Sequence, residues 1–361
     1  MKYALKLAKT AVCRADPNPH VGCVIVRGDE VLGQGSTQVV GQAHAEQAAL
    51  QNAKEQGNDV EGSKVYVTLE PCAHYGRTSP CADALINAKV GEVIVATRDP
   101  NPRVSGGGIK KLQNAGIAVR VGLFDRRARD LNRGFIQRMK TGKPFVIAKM
   151  AVSADGRSAL DQGVSSWVSN EESRADVQKL RCTMSAILST ASTVMADNPR
   201  LTARDHKTNE LNQRQPLRVI LDPRGELKSE YKTFHERGKV LLVVAQGQYA
   251  EAEIEFSKLD NVEIIDLPLK NDVFDLRNVF EQLGQHEINN VLIEAGAQFQ
   301  GVCVEAGLVD ELRVYIAPHL MGGSRFGILE LSPLDDMKKR MSLELKDVKR
   351  FGQDVRLIYR L

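Results

Sequence analysis

The chain has 361 residues, 42% of them apolar and 26% charged, with a formal net charge of +4; this is the composition of an ordinary soluble globular protein and excludes a disordered or membrane-embedded one. The length exceeds what one hydrophobic core usually fills, so two domains are expected. Basic and acidic residues are mixed almost everywhere, which argues against nucleic acid as a partner because nucleic-acid binders concentrate basic charge on one face. No apolar run approaches a bilayer span, and "MKYALKLAKTAVCRADP" lacks the uninterrupted apolar core of a secretion signal, so a cytoplasmic protein with no membrane partner is expected.

In chain order, "VGCVIV" (21–26) reads as a buried strand, "EQAALQNAKEQG" (46–57) as an amphipathic helix ending at Gly57, and "KVYVTLE" (64–70) as a second strand. "PCADALINAKVG" (80–91) fits a helix with Pro80 in its first turn and Gly91 just past its end. "EVIVATRDPNP" is a strand leading to a loop, and "GGGIKKLQNAGIAVRVG" a helix followed by a strand. This alternation predicts an α/β domain, a sheet covered by helices. A single helical stretch through "RRARDLNRGFIQRMK" runs into "TGKP" (141–144), whose Gly/Pro break sets a boundary between domains at 1–143 and 144–361. Beyond it the strand-like runs are "FVIAKMAVS", "RVILD", "KVLLVVA", "VEIIDL", "NNVLIEA", "ELRVYIAP" and "DVRLIYRL", several of them separated by helix-like "NEESRADVQKLRC" and "LRNVFEQLGQH". A second α/β domain is predicted there.

Six cysteines are too few and too scattered for a disulfide scaffold in a chain of this length. "TLEPCAHYGRTSPC" (68–81) nevertheless places Cys72 and Cys81 with only eight residues between them, and "AHAEQAA" supplies His44 with Glu46 two residues on. His44, Cys72 and Cys81 make a Cys₂His set, which in a four-coordinate zinc site leaves one position for water. Two thiolates and a neutral imidazole cancel the Zn²⁺ charge formally, while the ion still acidifies the water. Cys81 falls at the predicted start of a helix, whose positive end favours thiolate. Glu46, not needed as a ligand, is placed to carry a proton to a leaving amine. His-x-Glu followed by Pro-Cys and a later Cys is the signature of zinc nucleobase deaminases, here with a longer gap between the cysteines. Two other readings stay open at this point: unrelated core residues, or a purely structural zinc beside which Glu46 is an ordinary helix-surface carboxylate.

The chain resembles the bifunctional deaminase–reductases of bacterial riboflavin biosynthesis over essentially its whole length. The motifs are "PNPHVGCVIV" (17–26), "HAE" (44–46), "TLEPCAHYGRTSPC" (68–81) and "DPNP" (99–102), then "KMAVSADGR" (149–157), "SSW" (165–167), "ASTVMADNPRLTAR" (191–204) and "IEAGAQFQG" (293–301). The resemblance implies a cytidine-deaminase-like three-layer domain, zinc-dependent, that removes the 2-amino group of 2,5-diamino-6-ribosylamino-4(3H)-pyrimidinone 5′-phosphate. A dihydrofolate-reductase-like domain then uses NADPH to reduce the ribosyl group to ribityl. It implies His44, Cys72 and Cys81 as zinc ligands, Glu46 as proton shuttle, and Asn18, His74, Arg77, Asp99 and Asn101 lining the deaminase substrate site. His74 and Arg77 suit an anionic phosphate ester but also read as a solvated basic loop; Asn18, Asp99 and Asn101 also read as turn residues.

For the reductase, the resemblance implies cofactor contacts at Ala151, Trp167, Thr193, Asp197 and the loop Gly296, Ala297, Gln298, Phe299, Gln300, Gly301 and Val302. Substrate contacts are implied at Ser165, Arg181, Leu201, Arg204 and Glu294. Arg181 and Arg204 suit a ribose phosphate, since guanidinium matches phosphate bidentately, although Arg181 also reads as part of a solvated helix face. Trp167 and Leu201 read equally as packing residues, whereas Glu294, after an apolar strand, would be costly to bury unpaired. No GxGxxG fingerprint is present, so spacing alone does not identify a dinucleotide site. Two departures from the family pattern are a short N-terminus, expected to leave the deaminase mouth less covered, and Pro223, which removes a backbone donor near the expected cofactor, with Arg224 as a substitute. A homo-oligomer acting on a small pyrimidine ribose phosphate is expected. The competing readings are a nucleic-acid-directed zinc deaminase with an accessory domain and a non-catalytic structural-zinc scaffold.

Overall fold

The computed structural model describes residues 1–73, 80–101, 105–160, 168–323 and 326–361. Two compact units, Met1–Lys143 and Pro144–Leu361, divide the chain.

In the first unit the order is α1 (Lys2–Thr10), β1 (Gly22–Arg27), β2 (Glu30–Ser36), α2 (Ala45–Glu55), β3 (Lys64–Val67), α3 (Cys81–Asn87), β4 (Glu92–Val95), α4 (Gly107–Asn114), β5 (Ala118–Val121), α5 (Asp125–Leu131) and α6 (Arg133–Thr141). The five strands form one mixed sheet in the order β2-β1-β3-β4-β5, with β1 antiparallel to both neighbours and β3, β4 and β5 parallel. Glycines let helices close on both faces. A Cβ on Gly22 would lie 2.0 Å from the Ala4 carbonyl oxygen of α1, and one on Gly35 would lie 2.5 Å from the Ala45 carbonyl oxygen of α2. Because Gly22 pairs with Ser36 and Cys23 with Gly35, those two helices sit on opposite faces, giving the expected three layers. Ala45, Ala49 and Ala53 form the small-residue stripe of α2 that fits against β2.

Strand β2 has no counterpart in the sequence reading, since its glycines and exposed charges hide the period-two pattern. The single helix predicted through 126–140 is two helices broken at Asn132. That side chain is buried and spent on backbone, accepting from the His20 N–H at 2.7 Å and donating to the His20 carbonyl at 2.9 Å. It thereby fixes the segment entering β1.

The second unit contains β6 (Phe145–Ser153), α7 (Glu171–Cys182), β7 (Ala186–Thr190), α8 (Ala191–Asp197), β8 (Leu217–Asp222), α9 (Lys232–His235), β9 (Val240–Ala245), α10 (Tyr249–Phe256), β10 (Val262–Leu267), the short hairpin β11 (Leu269–Lys270) and β12 (Val273–Phe274), α11 (Leu276–Gln285), β13 (Asn290–Ile293), α12 (Ala297–Glu305), β14 (Glu311–Ala317), β15 (Glu344–Phe351) and β16 (Asp354–Arg360). Its nine-stranded sheet runs β10-β9-β8-β7-β13-β6-β14-β16-β15, parallel from β10 to β14 and closed by the antiparallel pair β16 and β15. Val146, Ala148, Met150 and Val152 of β6 pack into one core cluster, while Phe145 and Ile147 enter the other. Such two-sided burial is why these strands are continuous apolar runs in the sequence. In a parallel sheet of this kind ligands bind beyond the carboxyl ends of the strands, where a strand order reverses; here β13 inserts between β7 and β6.

Gly35→Ala should push α2 off β2, lowering unfolding free energy by about 1–3 kcal/mol. Since α2 begins at His44, metal affinity should fall with it. Urea unfolding and a metal titration of the same variant check both effects.

Candidate metal centre and reductase site

Three elements bring the donors of the first unit together. His44 is the N-cap of α2 in extended conformation, Cys72 follows the end of β3, and Cys81 opens α3 behind Pro80. His44 Nδ1 lies 3.7 Å from Cys72 Sγ and 3.4 Å from Cys81 Sγ, and all three donor atoms lie within 4.8 Å of one another. A tetrahedron with metal–ligand bonds of about 2.0–2.3 Å has edges of about 3.3–3.8 Å, so these separations fit a Cys₂His zinc sphere. The backbone N–H of Cys81 donates to Cys72 Sγ at 3.3 Å, consistent with the positive end of a helix.

The titration of the cluster follows from who shares protons. A hydrogen bond from the Cys81 thiol, helped by His44 and the Cys81 N–H, holds the Cys72 thiol down to about 4 in spite of burial. The same hydrogen bond, with burial, pushes Cys81 well up. The Cys72 hydrogen bond raises His44 against burial. Glu46, in the first turn of α2, is 4% exposed. Burial and then the Cys72 charge push its carboxyl up to about 7. It is therefore not a helix-surface carboxylate. It faces the sulfurs.

Asn18 is half-buried in the turn before β1, its N–H donating to the Ala15 carbonyl at 2.9 Å. Asp99 and Asn101 follow β4 and share a turn, the Asn101 N–H donating to Asp99 Oδ1 at 2.8 Å. His74 and Arg77 lie outside the described residues, as do Ser165 and Trp167 of the second unit.

At the carboxyl edge of the second sheet, Glu294 follows β13 and grips Arg181 of α7 bidentately, at 2.6 Å to Nε and 2.7 Å to Nη2. Arg181 Nη1 also donates to the Thr202 carbonyl at 2.9 Å. Burial opposes ionisation of Glu294, but Arg181 outweighs it and holds the carboxyl below its usual range. Lys149 of β6 interacts with both, and its amine is lowered by burial and by Arg181 while Glu294 acts the other way. Lys149 opens the "KMAVSADGR" motif, but the sequence reading gave it no role, because a single lysine in an apolar strand does not show which groups of distant segments it meets.

Arg204 is likewise engaged by protein groups: Nη2 donates to Glu236 at 2.8 Å, Nε to Thr202 Oγ1 at 3.0 Å and Nη1 to the Asn209 carbonyl at 3.0 Å. Thr193 lies in the first turn of α8, its N–H capped by Thr190 Oγ1, and Asp197 ends that helix. Leu201 takes a positive φ of 51° and buries its side chain in the core cluster of Phe145 and Ile147. Ala151 is half-buried on β6 opposite Tyr315. Gly296 caps α12 with open space where a Cβ would stand, a position from which the helix amides can meet an anion. Within that loop Ala297, Gln300 and Gly301 are buried and Gln298 and Val302 exposed, while Phe299 packs against the core. Gln300 ties the loop down, donating to the Ala295 carbonyl at 2.6 Å and to the Lys149 carbonyl at 3.1 Å. After β8, the Asp222 carboxylate accepts from the N–H groups of Glu226 at 3.1 Å and Leu227 at 2.9 Å, shaping the turn that exposes Arg224.

Residues 1–97 match the family described as the cytidine and deoxycytidylate deaminase zinc-binding region, and residues 144–357 the RibD C-terminal domain. The chain is 41% identical to the riboflavin biosynthesis protein RibD of Haemophilus influenzae, covering 99% of this chain and 96% of that one. It is 40% identical to the Escherichia coli protein of the same name, over 98% and 96%. Among solved structures, Acinetobacter baumannii RibD superposes with a TM-score of 0.90 at 38% identity, covering 99% of this chain and 97% of that one. The Thermotoga maritima diaminohydroxyphosphoribosylaminopyrimidine deaminase/5-amino-6-(5-phosphoribosylamino)uracil reductase gives 0.85 at 30% identity, over 100% and 97%.

A carboxyl whose folded value is raised from 4.5 to about 7 favours the protonated fold, so its contribution is fully present below the unfolded value and lost as pH rises toward 7. Between pH 4.5 and 7 this loss is set against the opposite contribution of Cys72, whose thiol is held down to about 4, so the Glu46 share is read as a difference: the stability of metal-free wild type relative to Glu46→Gln should fall across that window. Urea unfolding of both metal-free proteins at pH 5 and pH 8 checks it; parallel slopes would remove Glu46 as the cause.

Proposed function

The chain belongs to the RibD family of riboflavin-biosynthesis proteins, and from that membership we propose that His44, Cys72 and Cys81 hold its zinc while Glu46 carries the proton of the deamination. The protein is a bifunctional enzyme, a zinc-dependent deaminase joined to an NADPH-dependent reductase, and it acts on small molecules. The relative from Thermotoga maritima is named for both reactions. We assign the same order here: hydrolysis of the 2-amino group of 2,5-diamino-6-ribosylamino-4(3H)-pyrimidinone 5′-phosphate, then reduction of its ribosyl group to ribityl. Residues 1–143 would carry the first reaction and 144–361 the second.

The observation that carries the deaminase assignment is the buried Glu46 carboxyl beside a three-donor set with tetrahedral spacing. A purely structural site gives no reason to bury an acid there. Zinc supplies an acidified water as nucleophile. Glu46, buried beside the donor set, takes a proton and delivers it to the departing amine. Asn18, Asp99 and Asn101 orient the pyrimidine, and the positive or hydrogen-bonding side chains of His74 and Arg77 suit its phosphate. In the reductase, NADPH supplies the hydride. The N-terminus of α12 at Gly296 faces the cofactor pyrophosphate, and Ala151, Trp167, Thr193 and Asp197 complete its binding. Glu294, held by Arg181 and beside Lys149, orients the sugar, with Ser165, Leu201 and Arg204 as further contacts.

Among the described residues no helix is long and apolar enough to cross a membrane. A cytoplasmic homo-oligomer that handles a free nucleotide and no nucleic acid completes this reading. The apolar, half-exposed Leu345 and Val348 on the edge strand β15 support association with a second copy.

Given substrate and NADPH, the zinc-loaded chain should release ammonia and consume the cofactor. Glu46→Gln should keep zinc while ammonia release falls roughly a thousandfold; a variant with full turnover would take Glu46 out of the mechanism. Glu294→Gln strips Arg181 and Lys149 of their anion and should slow NADPH consumption by about tenfold or more. Ammonia release measured on the same preparation should stay unchanged.

A further inference from the structure

Glu70 sits at the end of the "TLEP" stretch, two residues before the Cys72 ligand, and is 3% exposed. A carboxylate so deeply buried requires compensation. Among the described residues its side chain is met by backbone N–H groups alone: Asp99 at 3.2 Å and Gly106 at 3.1 Å on Oε2, and Ile109 at 3.2 Å on Oε1. Its own N–H donates to the Thr97 carbonyl at 2.9 Å.

These partners come from two places. Asp99 belongs to the turn that includes Asn101, and Gly106 and Ile109 belong to the start of α4, whose N-cap Gly106 has no side chain with which to cap it. Glu70 thus does the capping from a distant strand end, where a negative charge is favoured by the helix dipole. The same contact is tight on its other side. A Cβ on Gly108 would lie 1.9 Å from the Pro71 carbonyl oxygen, so only glycine lets α4 close on the segment carrying Cys72.

A loop between a strand and a helix is ordinarily free to drift. Here the loop after β4 is pinned at both ends to a group two residues from a metal ligand. We infer that Glu70 is a positioning residue of the deaminase site, its carboxylate fixing the Asp99–Asn101 turn relative to the metal-binding segment so that the pyrimidine is held in register with the metal. The inference rests on the proposed placing of Asp99 and Asn101 in the substrate site.

Glu70→Gln in the full-length, zinc-loaded chain tests it, because an amide keeps the size but cannot accept from all three N–H groups. KM for ammonia release should rise about tenfold, the scale of leaving a buried donor unpaired. The turnover number should stay within about threefold, as for loss of uniform binding. Zinc content, and NADPH consumption assayed on the already deaminated intermediate, should be unaltered, and hydrogen exchange at the amides of residues 99, 106 and 109 should quicken. An unchanged KM, or a loss of zinc and turnover with KM unmoved, overturns the inference. Asp99→Ala separates it from the reading beneath it. If that variant leaves KM alone while Glu70→Gln raises it, the tether stands and the assignment of Asp99 falls. Should Glu70→Gln fail to fold, Gly108→Ala strains the same junction from the helix side and must raise KM likewise; an unmoved KM there overturns the inference.

Discussion

Two sulfurs and an imidazole nitrogen crowded to within 4.8 Å of one another in a largely buried setting are the constraint around which the first unit is arranged. As neutral groups they can share protons; as ligands they need a cation, because two thiolates at that range repel strongly in a low-dielectric interior. Nothing local in the chain enforces their meeting. The N-terminus of α2, the end of β3 and the start of α3 converge because glycines at 33 and 35 let α2 sink onto the sheet and because β3 runs down its centre. Once the cluster is formed, the behaviour of Glu46 follows. In the metal-free site, an acid buried beside an anionic sulfur is reluctant to ionise.

The second unit handles charge differently. Its acid, Glu294, is buried with a guanidinium in a two-point grip, so it stays ionised instead of protonated. Two carboxylates of the same chain are thereby driven in opposite directions by their surroundings: in the metal-free site one is raised by burial and the Cys72 charge, while the other is lowered by a paired arginine. This division suits the chemistry. Deamination needs a group that gains and loses a proton, whereas hydride transfer needs a fixed field and an oriented substrate, the cofactor carrying the reactive electrons. Arg181 and Arg204, each engaged by a carboxylate, meet a phosphate only by sharing their remaining N–H groups.

Glycine and asparagine set much of the geometry that motifs leave out. Asn132 breaks a continuous helical pattern to hold both backbone groups of His20. Gly108 admits α4 against Pro71, and Gly22, Gly33 and Gly35 set how closely α1 and α2 approach the sheet. Each is a long-range packing requirement written in a residue with little or no side-chain pattern. The edge strands β2 and β15 escape a periodicity reading for a related reason: β15 is exposed at all but its last residue, and β2 has glycines where α2 packs, so neither shows apolar alternation.

By itself the sequence determined the α/β class, the buried parallel strands, the helices with clean starts and stops, and the choice of His44, Cys72, Cys81 and Glu46 as the candidate metal cluster that the fold then brings together, since apolar periodicity and ligand chemistry are properties of residue types at short spacing. The resemblance in motif order supplied the two activities. Tertiary structure alone decided that Glu46 is buried and raised, that Glu294 is paired with Arg181, that Lys149 joins them, and that Glu70 ties the Asp99 turn to the Cys72 segment. Protonation and hydrogen bonding depend on which groups, distant along the chain, stand within a few ångströms of one another and how much water is kept from them, and no local pattern encodes that.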